Sequence, residues 1–165
     1  MEPMETMEFL VLDEPRMVDH GAMRIAGVQE RYRQDNAHVG IPALWSRFHE
    51  MAGGIPGAIA GAAYGVSTNV DAACSFDYLA GLEVERDAVL PRRIAVLDIA
   101  PHRYAVFTYS GPIWDIKRVY HTIFNQWLPG SRHAAANSPT LERYTEEYDR
   151  ETGVCRFELW LPLQA

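Results

Sequence analysis

Read from the N-terminus, the chain opens with a polar tail over residues 1–6, then a short apolar run, Phe9–Leu12, that predicts a strand ended by Pro15. Met23–Tyr32 mixes apolar and polar residues as a strand does. Residues 33–39 are polar and predict a loop. Apolar residues then recur at Ile41, Leu44, Trp45, Phe48 and Met51, the spacing of one helix face. Pro42 is placed in the first turn of that helix, where its missing N–H costs nothing, and Gly53-Gly54 ends it. Residues 55–62 are small and irregular. Tyr64-Gly65-Val66 and Ala73–Val84 predict two strands around a turn at Asn69–Ala72.

After a charged linker (85–92), the pattern starts again. Ile94–Ile99 predicts a short extra strand, and Tyr104–Tyr109 a longer one broken by Gly111-Pro112. Ile116, Val119, Tyr120, Ile123 and Trp127 form a second helical stripe, expected to stop before Pro129. A loop over 130–139 leads to a hairpin of Leu141–Tyr148 and Val154–Leu163, joined through Asp149–Gly153, with Gly153 at the left-handed turn position.

The two patterns are copies. Met23–Val28 matches Arg103–Thr108; Ile41, Leu44, Trp45 and Phe48 match Tyr120, Ile123, Phe124 and Trp127; Cys74–Tyr78 matches Cys155–Leu159, each at an offset of about 80 residues. That period is too long for a solenoid and fits a duplicated half-domain. The expected fold is therefore α+β. A duplicated strand–helix–strand–strand unit builds an antiparallel sheet with helices on one face and a pseudo-twofold cleft between the halves. The chain is expected to be a single domain over 1–165, with a first repeat at 7–85 and a second at 86–165. Clefts of this kind commonly hold small ligands.

Composition narrows the partners. At 165 residues with 48% hydrophobic and 22% charged residues, the chain can bury an ordinary core. A net charge of −7, without any basic run, argues against direct nucleic-acid binding. The acidic start lacks a secretory leader, and the small-residue stretch Gly53–Val66 is too short to span a bilayer. A cytoplasmic protein without a membrane segment is the expectation. The two cysteines, Cys74 and Cys155, are expected as small buried strand residues rather than a disulfide. The six histidines show no metal-ligand spacing, and no phosphate-loop lysine or nucleophile elbow is present, so neither a metal nor a cofactor is expected.

The chemistry concentrates in the last hairpin. Alternation puts Glu158 and Trp160 on one face of their strand, and Glu142 and Tyr144 on one face of the other. The hairpin thus offers two carboxylates and two rings that could line a single surface. Aromatic faces attract cations, and a carboxylate in an apolar pocket makes a buried cation tolerable, so the combination suits a lipophilic cation. The same pattern also fits an edge hairpin with a solvated glutamate and a half-exposed tryptophan. Trp45 and Trp127 on the two helical stripes, and Tyr64 on its strand, are further candidate walls, although stripe residues are commonly core.

Several segments together resemble the GyrI-like small-molecule-binding family, which includes effector-binding domains of AraC- and MerR-type multidrug regulators. They are Ile41–Trp45, Tyr64-Gly65-Val66, Phe76–Val84, Tyr104–Phe107, Trp127-Leu128-Pro129, Pro139–Tyr144 and Phe157–Leu163. The resemblance implies a central pocket for hydrophobic, often cationic compounds, with Glu142 and Glu158 at the acidic positions. Nothing before residue 20 has room for a DNA-binding domain, so a stand-alone binder is expected, acting in sequestration or regulation. Two alternatives follow from relatives. One is a hydrolase of strained cyclopropane-type toxins, with Glu158 or Glu142 as general acid or base. The other is a protein-binding modulator of gyrase type. A homodimer or protein partner stays open.

Overall fold

A computed structural model describes residues 8–148 and 154–164. Among these residues, eight strands form one sheet: β1 (Arg16–His20), β2 (Met23–Tyr32), β3 (Ala63–Thr68), β4 (Phe76–Glu83), β5 (Ala95–Ile99), β6 (His102–Pro112), β7 (Thr140–Tyr148) and β8 (Val154–Pro162). Helix α1 (Ala37–Met51) follows β2, and α2 (Ile116–Thr122) follows β6. All neighbouring strands are antiparallel, in the order β1-β6-β8-β7-β3-β4-β2-β5. Exchanging each strand for its counterpart in the other repeat reverses this order onto itself, which is the topology of a pseudo-twofold duplication. The seam is the β3–β7 pair, where Gly65 lies opposite Glu142.

The strand preceding each repeat crosses to the other one. β1 pairs with β6 of the second repeat, and β5 pairs with β2 of the first. Each extra strand thus covers what would be a bare edge and ties the halves together.

Period-two alternation splits the core between the sheet's faces. On one face α1 buries Leu44 and Phe48 against Ala26, Tyr78 and Ala80, while α2 buries Val119 against Phe107, Phe157 and Leu159. On the other face no helix is needed. The sheet curls into a half-barrel whose own residues, among them Ile25, Val66, Leu79, Tyr104, Val106 and Leu141, close over one another.

Most elements match the sequence reading, and the differences have local causes. Phe9–Leu12 is not a strand: Leu10 and Leu12 pack on the second-half core, Leu10 N–H donates to Thr122 Oγ1 at 2.9 Å, and the first strand is Arg16–His20. α1 begins at Ala37, so Pro42 stands inside it rather than in its first turn. Gly111-Pro112 does not break β6, whose last pair is Pro112 with Val154. Nor does the second helix stop before Pro129. After Thr122 it widens into a π turn, Ile123–Trp127, and runs on through Leu128–Gly130. The Leu128 N–H reaches the Ile123 carbonyl five residues back, and Pro129 enters at the next position, where its ring supplies no N–H.

The two cysteines are not equivalent. Cys155 is buried in β8, but Cys74 is exposed in the loop before β4, with φ of 63°. Asp71 organises that loop by accepting the N–H groups of Ala73 and Ser75, each at 2.9 Å, so β4 starts only at Phe76. The turn expected through Gly153 lies outside the described residues.

Candidate functional site

The site grows from one buried carboxylate at the seam. Glu142 sits in β7 between Leu141 and Arg143, and alternation turns it to the helix side of the sheet. It is 5% exposed. An isolated carboxylate there would be very costly, and three tyrosines offset part of the cost. Tyr78 from β4 and Tyr144 from β7 both donate to Oε1, at 2.8 and 2.7 Å, and Tyr120 from α2 donates to Oε2 at 2.6 Å. The Tyr144 and Tyr120 distances are in the charge-assisted range, and the Tyr78 distance is that of an ordinary hydroxyl bond. Trp45 of α1 completes the cluster: its indole N–H donates to the Tyr78 hydroxyl at 3.0 Å, and its ring meets Tyr144 edge-on at 5.3 Å. Both helices therefore reach the same carboxylate, α2 directly and α1 through Tyr78.

The electrostatics are unusual in one respect. Among the described residues, no arginine, lysine or histidine forms an ion pair with Glu142. Burial pushes its carboxyl above the ordinary carboxylate value, against the pull of three hydrogen bonds. Burial and the adjacent carboxylate push the Tyr78, Tyr120 and Tyr144 hydroxyls well above theirs, so all stay protonated donors at neutral pH. The site is a desolvated carboxyl held by neutral groups.

Gly65 lies under this cluster. A β-carbon there would overlap the Tyr78 hydroxyl oxygen and stand 2.7 Å from Tyr78 Cζ and 2.8 Å from Glu142 Oε1.

Of the residues singled out in the sequence, Glu142, Tyr144 and Trp45 come together. The others do not join them. The β7–β8 register sets Glu142 opposite Leu159 and Arg143 opposite Glu158, so the two carboxylates project from opposite faces of the sheet. The single surface expected from the hairpin is thus not formed, because alternation within each strand says nothing about the register between them. Glu158 is half-buried and already paired, at 2.7 Å with Arg16 and 3.3 Å with Arg143, and it accepts the Trp160 indole N–H at 3.2 Å. Tyr64 stands on that face too, opposite Arg143. Trp160 packs edge-on to Tyr104 at 5.4 Å. Trp127 belongs to the second-half core, edge-on to Phe107 at 5.0 Å and stacked on His133 at 6.0 Å.

Sequence reasoning missed Tyr78 and Tyr120 as site residues. The available signal was a tyrosine on an otherwise apolar face: a hydroxyl at a buried position needs a partner.

No curated protein matches the chain by sequence. Solved structures resemble it in fold. A protein called SAV2435, solved bound to tetraphenylphosphonium, superposes with a TM-score of 0.67 at 17% identity, covering 93% of this chain and 95% of the other. An integron cassette protein from the mobile metagenome of Vibrio cholerae gives 0.69 at 15% identity, covering 93% and 97%. The C-terminal domain of EcmrR gives 0.63 at 11% identity, covering 92% and 97%. The model of the GyrI-like small molecule binding domain matches residues 13–164, nearly the whole chain, and this protein belongs to the GyrI-like family.

Proposed function

We propose that this small-molecule-binding domain takes hydrophobic cations, with Glu142 as counter-charge and Trp45, Tyr78, Tyr120 and Tyr144 as the groups around it. One observation carries the reading: a nearly fully buried carboxylate holds three tyrosyl donors and, among the described residues, no basic partner. A cation brought to this point gains Coulomb attraction in a medium that screens it poorly, and ring faces add roughly 0.5–2 kcal/mol each. The tetraphenylphosphonium bound to SAV2435 is a ligand of this chemical kind and supports the reading by analogy of fold. Glu158, Tyr64, Trp160 and Trp127 lie outside the proposed site. The domain's output is then occupancy itself, serving sequestration or signalling to a partner.

Calorimetry with rhodamine 6G tests this. Glu142→Gln is expected to weaken binding on the order of 30-fold or more, as loss of a buried charge partner does. An uncharged analogue should bind both proteins alike, and Glu158→Gln should leave the dye's affinity unchanged. Equal affinity of wild type and Glu142→Gln for the dye would refute the counter-charge.

A further inference from the structure

The glycines of the sheet are not all alike. Gly27 and Gly81 face each other across β2 and β4, and a β-carbon on either would strike the partner strand's backbone, at 2.6 Å from Gly81 Cα or 2.5 Å from Ala26 O. They allow two strands to pack closely. Among the described glycines, only Gly65 has its missing β-carbon's place taken by the carboxylate cluster: the Tyr78 hydroxyl and Glu142 Oε1. Its backbone is extended within β3, so no conformational need for glycine accounts for it. Tyr78 projects from β4, next to β3, and must pass over the Gly65 α-carbon to reach Glu142 on the far neighbour, β7. Any side chain at 65 would stand in that path.

We propose, on the reading of Glu142 as counter-charge, that Gly65 is the positioning residue of the site. Its bare α-carbon admits the Tyr78 hydroxyl to Oε1 and so fixes the number of donors on the carboxylate at three. Trp45 is held by the same hydroxyl, so Gly65 also governs the link between α1 and the carboxylate. The titratable groups meeting Glu142 are Tyr78 from β4, Tyr144 from β7 and Tyr120 from α2; α1 presents the uncharged Trp45, and β3 the Gly65 backbone.

The test reads Glu142 directly, without ligand, as its carboxyl carbon signal in ¹³C-glutamate-labelled protein, assigned by its absence in Glu142→Gln. Gly65→Ala should raise the titration midpoint by about one unit or more, the worth of one hydrogen bond to a charged group. Tyr78→Phe should move it equally. The double variant Gly65→Ala/Tyr78→Phe should regain part of the melting temperature lost in Gly65→Ala while keeping the raised midpoint, since the hydroxyl oxygen that the methyl group overlaps is then gone. A lowered melting temperature with an unmoved midpoint in Gly65→Ala would reduce Gly65 to packing and overturn the proposal. Should Gly65→Ala fail to fold, folding of the double variant shows that the Tyr78 hydroxyl is what the bare α-carbon admits, and failure of that variant beside a folded Tyr78→Phe overturns the proposal. Rhodamine 6G titrations of the same proteins separate the two ideas. A moved midpoint without dye binding by the wild type sinks the cation reading alone; dye binding with an unmoved midpoint sinks the role of Gly65 alone.

Discussion

A single residue, Glu142, sets the energetics of this domain's seam. Its burial disfavours the charged form, and three tyrosyl donors recover only part of that cost, so its folded value lies above the unfolded one. The sign follows from linkage: a carboxyl raised by folding contributes stability below its unfolded value and loses it as pH rises through the folded one. Glutamine cannot ionise. Urea denaturation across that window should therefore show wild type losing ground steadily to Glu142→Gln as pH rises from the ordinary carboxylate range. A constant stability difference would mean that the folded and unfolded values coincide. The residue itself was legible in the sequence as half of an acidic pair. Its partner was not: whether Glu158 joins it depends on a one-residue register between β7 and β8, which neither strand's alternation encodes.

At the scale of elements, the hydrophobic periods did most of the work. Met23–Tyr32 is a strand over its whole predicted length, and both helical stripes are helices. Several differences between expectation and structure fall at prolines. Pro42 is accommodated inside α1, Pro112 ends β6 at the sheet margin, and Pro129 follows a π turn. Proline removes a donor, and each of these backbones continues past that loss. The element that matters most for the site is α1, which touches the carboxylate only through the Trp45 indole N–H on Tyr78. Trp45→Phe keeps an aromatic ring beside Tyr144 but deletes that donor. It should cost about 1 kcal/mol in equilibrium unfolding and leave the Tyr78 bond to Glu142 in place. A loss several times larger would show the ring's packing, rather than its hydrogen bond, to be the link.

For the whole molecule, the duplication seen as an offset of about 80 residues is the architecture, down to a strand order that reads alike from both ends. The exchange of β1 and β5 between halves was not legible, because edge pairing leaves no periodic mark on so short a strand. It makes the N-terminal segment a clamp on the distant repeat. Val18 joins the half-barrel core, Leu10 and Leu12 the second-half core, and Arg16 pairs with Glu158. Removing residues 1–20 should therefore lower global stability by about 3 kcal/mol or more, from lost apolar burial and a bared β6 edge, when followed by denaturant melts. An unchanged midpoint would make the crossover strand dispensable. No helix among the described residues is long and apolar enough to cross a membrane.

If the buried Glu142 carboxyl, without an ion-pair partner among the described residues, draws a ligand's positive charge, the pH dependence of binding shows it most directly. Tetraphenylphosphonium titrated calorimetrically into wild type should bind more tightly as pH rises through the Glu142 midpoint and then level off, because below it the cation must displace a proton. Glu142→Gln should bind weakly at every pH, with no such slope. An affinity that ignores pH in the wild type, or a slope that survives in Glu142→Gln, would contradict the account.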